Sequence, residues 1–156
     1  MSTMHNKRLK NEQIRDKWGR NVYYNKEENK IYAFYENYLH KQNYLLTLNI
    51  SNRYPFKPPD IYVNNKNIID FYADLFGGNS SAFIQKQLQY LFDGECMCCS
   101  TILCKNNWGP HYTIKDILEE FTSYINLKQR VLERFWLRTI MKKYDIPLHI
   151  RIWEYN

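Results

Sequence analysis

The chain has 156 residues, 44% of them apolar, with Tyr 14, Phe 8 and Trp 4. That length fits one domain spanning 1–156, and the aromatic residues supply enough buried area for a core without disulfide or metal staples. A net charge of +6 from 22 basic and 16 acidic residues leaves room for an acidic partner but is not that of a dedicated nucleic-acid arm, so nucleic acid is not an expected partner.

No apolar run approaches the ~18 residues of a membrane span, and no membrane partner is expected. Met1 to Lys10 is polar and basic, with no apolar signal-peptide core. The expected location is therefore intracellular, cytoplasmic or nuclear. In a reducing compartment cysteines serve as thiols, metal ligands or nucleophiles rather than as staples.

In chain order, Thr3 to Trp18 reads as a short polar helix. Leu9, Ile14 and Trp18 form a thin apolar seam, and Lys7, Arg8, Lys10, Arg15 and Lys17 crowd the rest. This basic surface is either a solvated face or a dock for an acidic partner. Strands follow at Asn21–Tyr24, Lys30–Glu36 and Asn43–Ile50, with Tyr44, Leu46, Leu48 and Ile50 on one face at period two. A short strand at Ile61–Val63 completes an antiparallel four-stranded meander.

Between the third and fourth strands lies Tyr54-Pro55-Phe56-Lys57-Pro58-Pro59. Its prolines fix φ and remove backbone donors, which makes a rigid crossing with Tyr54 and Phe56 as apolar anchors. Such a cluster can also serve as a polyproline ligand, although the closely flanking strands favour the structural role. Asn67–Phe76 reads as a helix capped by Asn67, burying Ile68, Ile69, Tyr72, Leu75 and Phe76, and ended by Gly77-Gly78. Ser80 or Ser81 caps a second helix to about Phe92, with Ile84, Leu88 and Leu91 inward. Asp93-Gly94 is a turn.

All four cysteines fall between Cys96 and Cys104. Thiolate is the one good nucleophile available here near neutral pH, so covalent chemistry would centre on this stretch. Four thiols in Cys-x-Cys-Cys-x4-Cys spacing, with His111 nearby, also suggest zinc, but the arrangement is cramped for a tetrahedral ion, and no cofactor is expected. Cys96 and Cys104 read as small packed residues. A Cys99–His111 protease pair has no local signature. Beyond the cysteines, Thr113 caps a helix through a box with Asp116, with Ile114, Ile117, Leu118, Phe121 and Ile125 as its core stripe. A further helix from Leu127 to Tyr144 is expected to bury Leu127, Val131, Leu132, Phe135, Trp136 and Ile140. Its other face carries Arg130, Arg134, Arg138 and Lys142 at four-residue steps, either solvated or binding phosphate or an acidic protein. The tail Ile146–Trp153 is a short strand or docked coil.

This order of elements resembles the ubiquitin-conjugating enzyme fold. Tyr54-Pro55-Phe56-Lys57-Pro58-Pro59 matches that family's signature residue for residue. Cys99-Ser100-Thr101-Ile102-Leu103, with Trp108-Gly109-Pro110 and Thr113-Ile114 after it, resembles the family's catalytic segment and following helix start. The resemblance covers about residues 4–126 and leaves 127–156 as a divergent helical extension. It implies an α+β fold: an N-terminal helix, a meander, a Pro-rich crossing, a helical insertion before the cysteines, and C-terminal helices.

It further implies that Cys99, rather than its neighbour Cys98, carries ubiquitin or a related modifier as a thioester for transfer to lysine. The partners implied are an activating enzyme, met by Lys7, Arg8, Lys10 and Arg15, and a ligase, met by Phe56, Trp108 and Pro110. The family's His-Pro-Asn triplet does not occur between Pro59 and Cys99. Asn65, Asn67 or Asn79 are the candidates for its amide, and Thr101 stands where an acidic residue is common. The missing triplet supports a second reading, a binding module that docks ubiquitin or a ligase without transfer.

Overall fold

A computed structural model of the chain describes residues 4–37, 41–76, 82–94 and 97–145. Helix α1, Met4–Asp16, leads into β1 (Val22–Asn25), β2 (Lys30–Asn37), β3 (Gln42–Asn49), β4 (Asp60–Val63) and β5 (Lys66–Asn67). Neighbouring strands pair antiparallel in chain order, so the sheet is a simple meander. Helices α2 (Ile68–Ala73), α3 (Ala82–Leu91), α4 (Met97–Ser100) and α5 (Ile114–Lys143) follow. The α+β class and the order of elements agree with the sequence reading.

Period-two patterning sets the sheet's register. Ile31 and Ala33 of β2 face inward beside Leu46 and Leu48 of β3 and Ile61 and Val63 of β4, all fully or nearly fully buried. Against this face lies the first half of α5, with Ile114, Ile117, Leu118 and Phe121 in the same core. Phe121 is the aromatic hub: its ring centroid is 5.0 Å from Tyr35, 5.7 Å from Tyr44 and 5.9 Å from Phe71. Such contacts add to simple area burial.

Helix α1 is held by one buried carboxylate. Glu12, 1% exposed, pairs with Arg8 and lies 2.8 Å from the Tyr54 hydroxyl through each oxygen. It also accepts the Ile114 N–H at 3.0 Å. That N–H belongs to the first turn of α5, where backbone donors lack intrahelical partners and the helix dipole favours negative charge. Glu12 thus ties α1, the Pro-rich crossing and the start of α5 together. Tyr54 is held far above its ordinary value, first by burial and then by the Glu12 charge, so it remains a donor.

Several expectations need correction. Ile14 is 67% exposed and takes no part in the α1 seam, whereas Trp18 is buried just beyond the helix end. Phe56 is 73% exposed, so Tyr54 anchors the crossing without it. The return strand β5 was not foreseen. It is made by a two-residue turn in which Asn64 and Asn65 adopt φ of 47° and 68°, the left-handed geometry of a tight hairpin that asparagine tolerates. Asn67 caps α2 through its side chain as expected, accepting the Ile69 N–H at 2.9 Å. In α3 Ile84 is buried, but Leu91 is largely exposed.

The largest correction concerns α5. Two helices divided near Asn126 are in fact one of 30 residues. No glycine or proline interrupts Ile114–Lys143, and a lone asparagine costs a helix only a few tenths of a kcal/mol. The Thr113 capping box with Asp116 forms as expected. Val131 is buried, but Trp136 and Ile140 are exposed rather than inward. Gly77–Ser81 and Ile146–Trp153, read as a helix stop and cap and as a tail, lie outside the described residues.

Candidate functional site

Helix α4 is a single turn, Met97–Ser100, anchored by Met97, which is buried. A turn of this length presents adjacent side chains in different directions. Cys98 is half-buried and Cys99 exposed, with their sulfurs 4.0 Å apart. Cys104 is half-buried, in keeping with a packed residue, and Cys96 lies outside the described residues. Among the described residues no three His, Cys, Asp or Glu side chains gather as a metal site.

What holds Cys99 is the loop after it. Thr101 is fully buried. Its hydroxyl donates to Glu120 of α5 and accepts the Leu103 N–H at 3.2 Å. The other Glu120 oxygen accepts the Ile102 N–H at 2.9 Å. Burial pushes the Glu120 carboxyl above its ordinary value, and these two hydrogen bonds pull it back in part. Asn107 closes the loop from the other side. Its amide donates to the Cys99 carbonyl at 2.7 Å and to the Thr101 carbonyl at 3.0 Å.

The corner Trp108-Gly109-Pro110 joins this loop to the rest of the molecule. The Trp108 indole N–H donates to the Pro55 carbonyl at 2.8 Å, and its ring lies 6.4 Å from that of Tyr54. Arg8 of α1 reaches the Pro110 carbonyl at 3.5 Å. His111 stacks on Tyr112 at 4.1 Å and lies so close to Gly109 that a Cβ there would meet its ring at 2.7 Å. A side chain at this position would therefore require the exposed His111 ring to move aside.

The structure thus joins three stretches that the sequence singled out separately: α1, the Pro-rich crossing and the Trp108 corner. It divides the proposed docking residues into two sets. Lys7, Lys10, Phe56 and Pro110 are exposed. Arg8 is engaged by Glu12 and Arg15 by Asp16. The Arg15 hydrogen bond holds Asp16 below the usual carboxylate range. Trp108 is half-buried and structural through its N–H.

Of the asparagines considered as amide donors, Asn67 caps α2 and Asn65 forms the β4–β5 turn, while Asn79 lies outside the described residues. Asn107, which sequence reasoning missed, is the amide bonded at Cys99. Its position four residues after Leu103, just before Trp108, was the available signal. Glu120 was also missed, because only folding brings α5 to the loop.

No protein-family model, curated protein or solved structure matches the chain.

Proposed function

We propose that this chain carries ubiquitin or a related modifier as a thioester on Cys99 and passes it to lysine, in the manner of the ubiquitin-conjugating enzymes its motifs resemble. The observation that supports this most is the exposure of Cys99 on a one-turn helix whose following loop is pinned to α5 and to the Pro-rich crossing. A nucleophile that meets two large partners needs such access and such fixed placement.

In the loading step the Cys99 sulfur attacks the thioester carbonyl presented by an activating enzyme. A new C–S bond forms as the old one breaks, and the thiol proton passes to the departing sulfur. In discharge a lysine amine attacks the same carbonyl. The C–N bond forms, the C–S bond to Cys99 breaks, and the amine's proton goes to the departing thiolate. Exposed Lys7 and Lys10 would face the activating enzyme, and Phe56 and Pro110 a ligase. The reading puts the protein inside the cell, in cytoplasm or nucleus.

Incubation with activating enzyme, ATP and ubiquitin is expected to give a reductant-sensitive adduct on the wild type and on Cys98→Ala, and none on Cys99→Ala. An adduct that survives Cys99→Ala but not Cys98→Ala overturns the assignment of the nucleophile.

One observation favours the second reading, a module that docks ubiquitin or a ligase without transfer. Asn107 commits both amide hydrogens to backbone carbonyls, so in this arrangement it has none to donate to a tetrahedral oxyanion. Measurable ubiquitin or ligase binding with no adduct on any cysteine would establish that reading instead.

A further inference from the structure

The distal half of α5 leaves the core and exposes an apolar face. Trp136, Leu137, Ile140 and Tyr144 are 59%, 53%, 48% and 65% exposed. Trp136, Ile140 and Tyr144 follow at four-residue steps, and Leu137 lies beside them, so together they cover a sector of roughly 100°. Cations border that sector on both sides: Lys143 on one, Arg130 and Arg134 on the other. From Lys128 to Lys143 there are six cations and one carboxylate, Glu133, which accepts from Gln129 at 3.0 Å.

Lys142 and Lys143 are accounted for in part by the helix dipole, but that effect fades within the last turn and does not reach Arg130 or Arg134. Among the described residues no carboxylate pairs with Arg130, Arg134 or Lys142.

Part of the side of the helix away from this sector is already covered. Phe83 of α3 lies 6.2 Å from Phe135 and 5.2 Å from the Arg138 guanidinium carbon. Toward the helix end the far side stays open at Arg138 and Lys142, but it is cationic and carries no exposed apolar residue, so the apolar contact is confined to one side, which suits a flat surface better than a groove that encloses a helix. Like charge opposes a second copy of the same face. Nucleic acid fits less well, because the exposed rings and the main cationic stripe occupy different sectors and give no stacking platform beside the phosphate contacts.

Trp and Tyr flanked by Arg and Lys is the composition of a helix lying in a lipid interface, with rings at headgroup depth and cationic side chains reaching the headgroups. We infer that the distal half of α5 is a peripheral docking surface for an anionic lipid membrane, seated on Trp136, Leu137, Ile140 and Tyr144 and held by Arg130, Arg134 and Lys143. The contact is interfacial, a kind of membrane partner that the lack of a spanning run in the sequence does not exclude: among the described residues no helix is long and apolar enough to cross a membrane. It does not depend on the Cys99 reading.

The test is sedimentation of the full chain with phosphatidylcholine vesicles, with and without phosphatidylserine. The wild type is expected to pellet with the phosphatidylserine vesicles and remain in the supernatant with phosphatidylcholine alone. Trp136→Ser/Ile140→Ser is expected to lower partitioning about tenfold or more, through lost apolar insertion. Arg130→Gln/Arg134→Gln is expected to lower it about tenfold on the anionic vesicles. Both variants change exposed side chains, and unchanged circular dichroism and thermal midpoints confirm that they fold. A wild type that stays in the supernatant with phosphatidylserine vesicles overturns the inference and leaves the face to an acidic protein. Unchanged pelleting of Trp136→Ser/Ile140→Ser overturns it as well, since the contact would then be charge alone.

Discussion

Glu120 decides how the nucleophile's loop responds to pH. It spans from α5 to a residue 19 positions earlier, Thr101, and to the Ile102 N–H. Burial raises its carboxyl above the ordinary 4.5, so the folded state holds this proton more tightly than the unfolded chain does. Between the ordinary and the raised value the unfolded chain has lost a proton that the folded one keeps. Stability from this group is therefore complete below the ordinary value and is lost as pH rises through the raised one. Glu120→Gln removes the titration. The stability of wild type relative to Glu120→Gln should thus be greatest at about pH 4 and smaller at about pH 7, read from urea midpoints at the two values. A difference that does not change with pH would mean that the folded and unfolded states hold this proton equally and that burial does not raise the carboxyl. Neither Glu120 nor Asn107 was legible in the sequence as a site residue. Glu120 reaches the loop by tertiary approach, which leaves no local spacing to read, whereas Asn107 bonds within its own loop and had only its place before Trp108 to mark it.

At the scale of elements, legibility followed periodicity. The strands and the Asn67 and Thr113 caps could be read because a half-buried strand alternates and a helix start needs an acceptor for its unpaired N–H groups. The same logic failed for α5. Apolar residues at helical spacing read as core whether or not anything packs on them, so Val131, Trp136 and Ile140 looked alike. They are 2%, 59% and 48% exposed. Truncation separates them. Val131→Ala should cost about 2 kcal/mol from lost burial and the cavity left behind, whereas Trp136→Ala and Ile140→Ala should each fall within about 0.5 kcal/mol of wild type. Chemical denaturation of the three variants measures this. A cost near 2 kcal/mol for Trp136→Ala would place that ring in the fold's own core and remove it from the proposed lipid-facing surface. The continuity of α5 has a further consequence. One rigid rod carries both the Glu120 anchor of the cysteine loop and the exposed basic face, so a contact at the distal end and the thiol share one element.

For the molecule as a whole, the fold organises Cys99 through a chain of polar links rather than through a packed pocket. Arg8 reaches Pro110, Trp108 reaches Pro55, Asn107 reaches Cys99 and Thr101, and Glu120 reaches Thr101 and Ile102. Motif reading located the ends of this chain, the Pro-rich crossing and the Trp108 corner, because both contain prolines and aromatics whose backbone demands show in sequence. It did not reveal that they touch, since the Trp108–Pro55 bond spans 53 positions. The main core, between the sheet and the first half of α5, reaches the loop at Met97 and Leu103, with Ile102 and Trp108 packed against it. From Cys104 to Trp108 no side chain is buried, so this part of the loop should open locally without unfolding the protein, as segments held by few buried apolar contacts do. Trp108→Phe keeps most of the ring packing against Tyr54 and Tyr112 and deletes only the donor to Pro55. It should lower global stability by about 1 kcal/mol. Amides across Cys104–Trp108 should lose hydrogen-exchange protection by a larger factor than those of β2 and β3, because this part of the loop gives up one of its few anchors. The rate of Cys99 alkylation should rise in step with that local opening. If the loop and sheet amides instead lose protection equally, the loop opens only when the whole molecule unfolds, and the Trp108–Pro55 link belongs to the global core rather than to the presentation of the thiol.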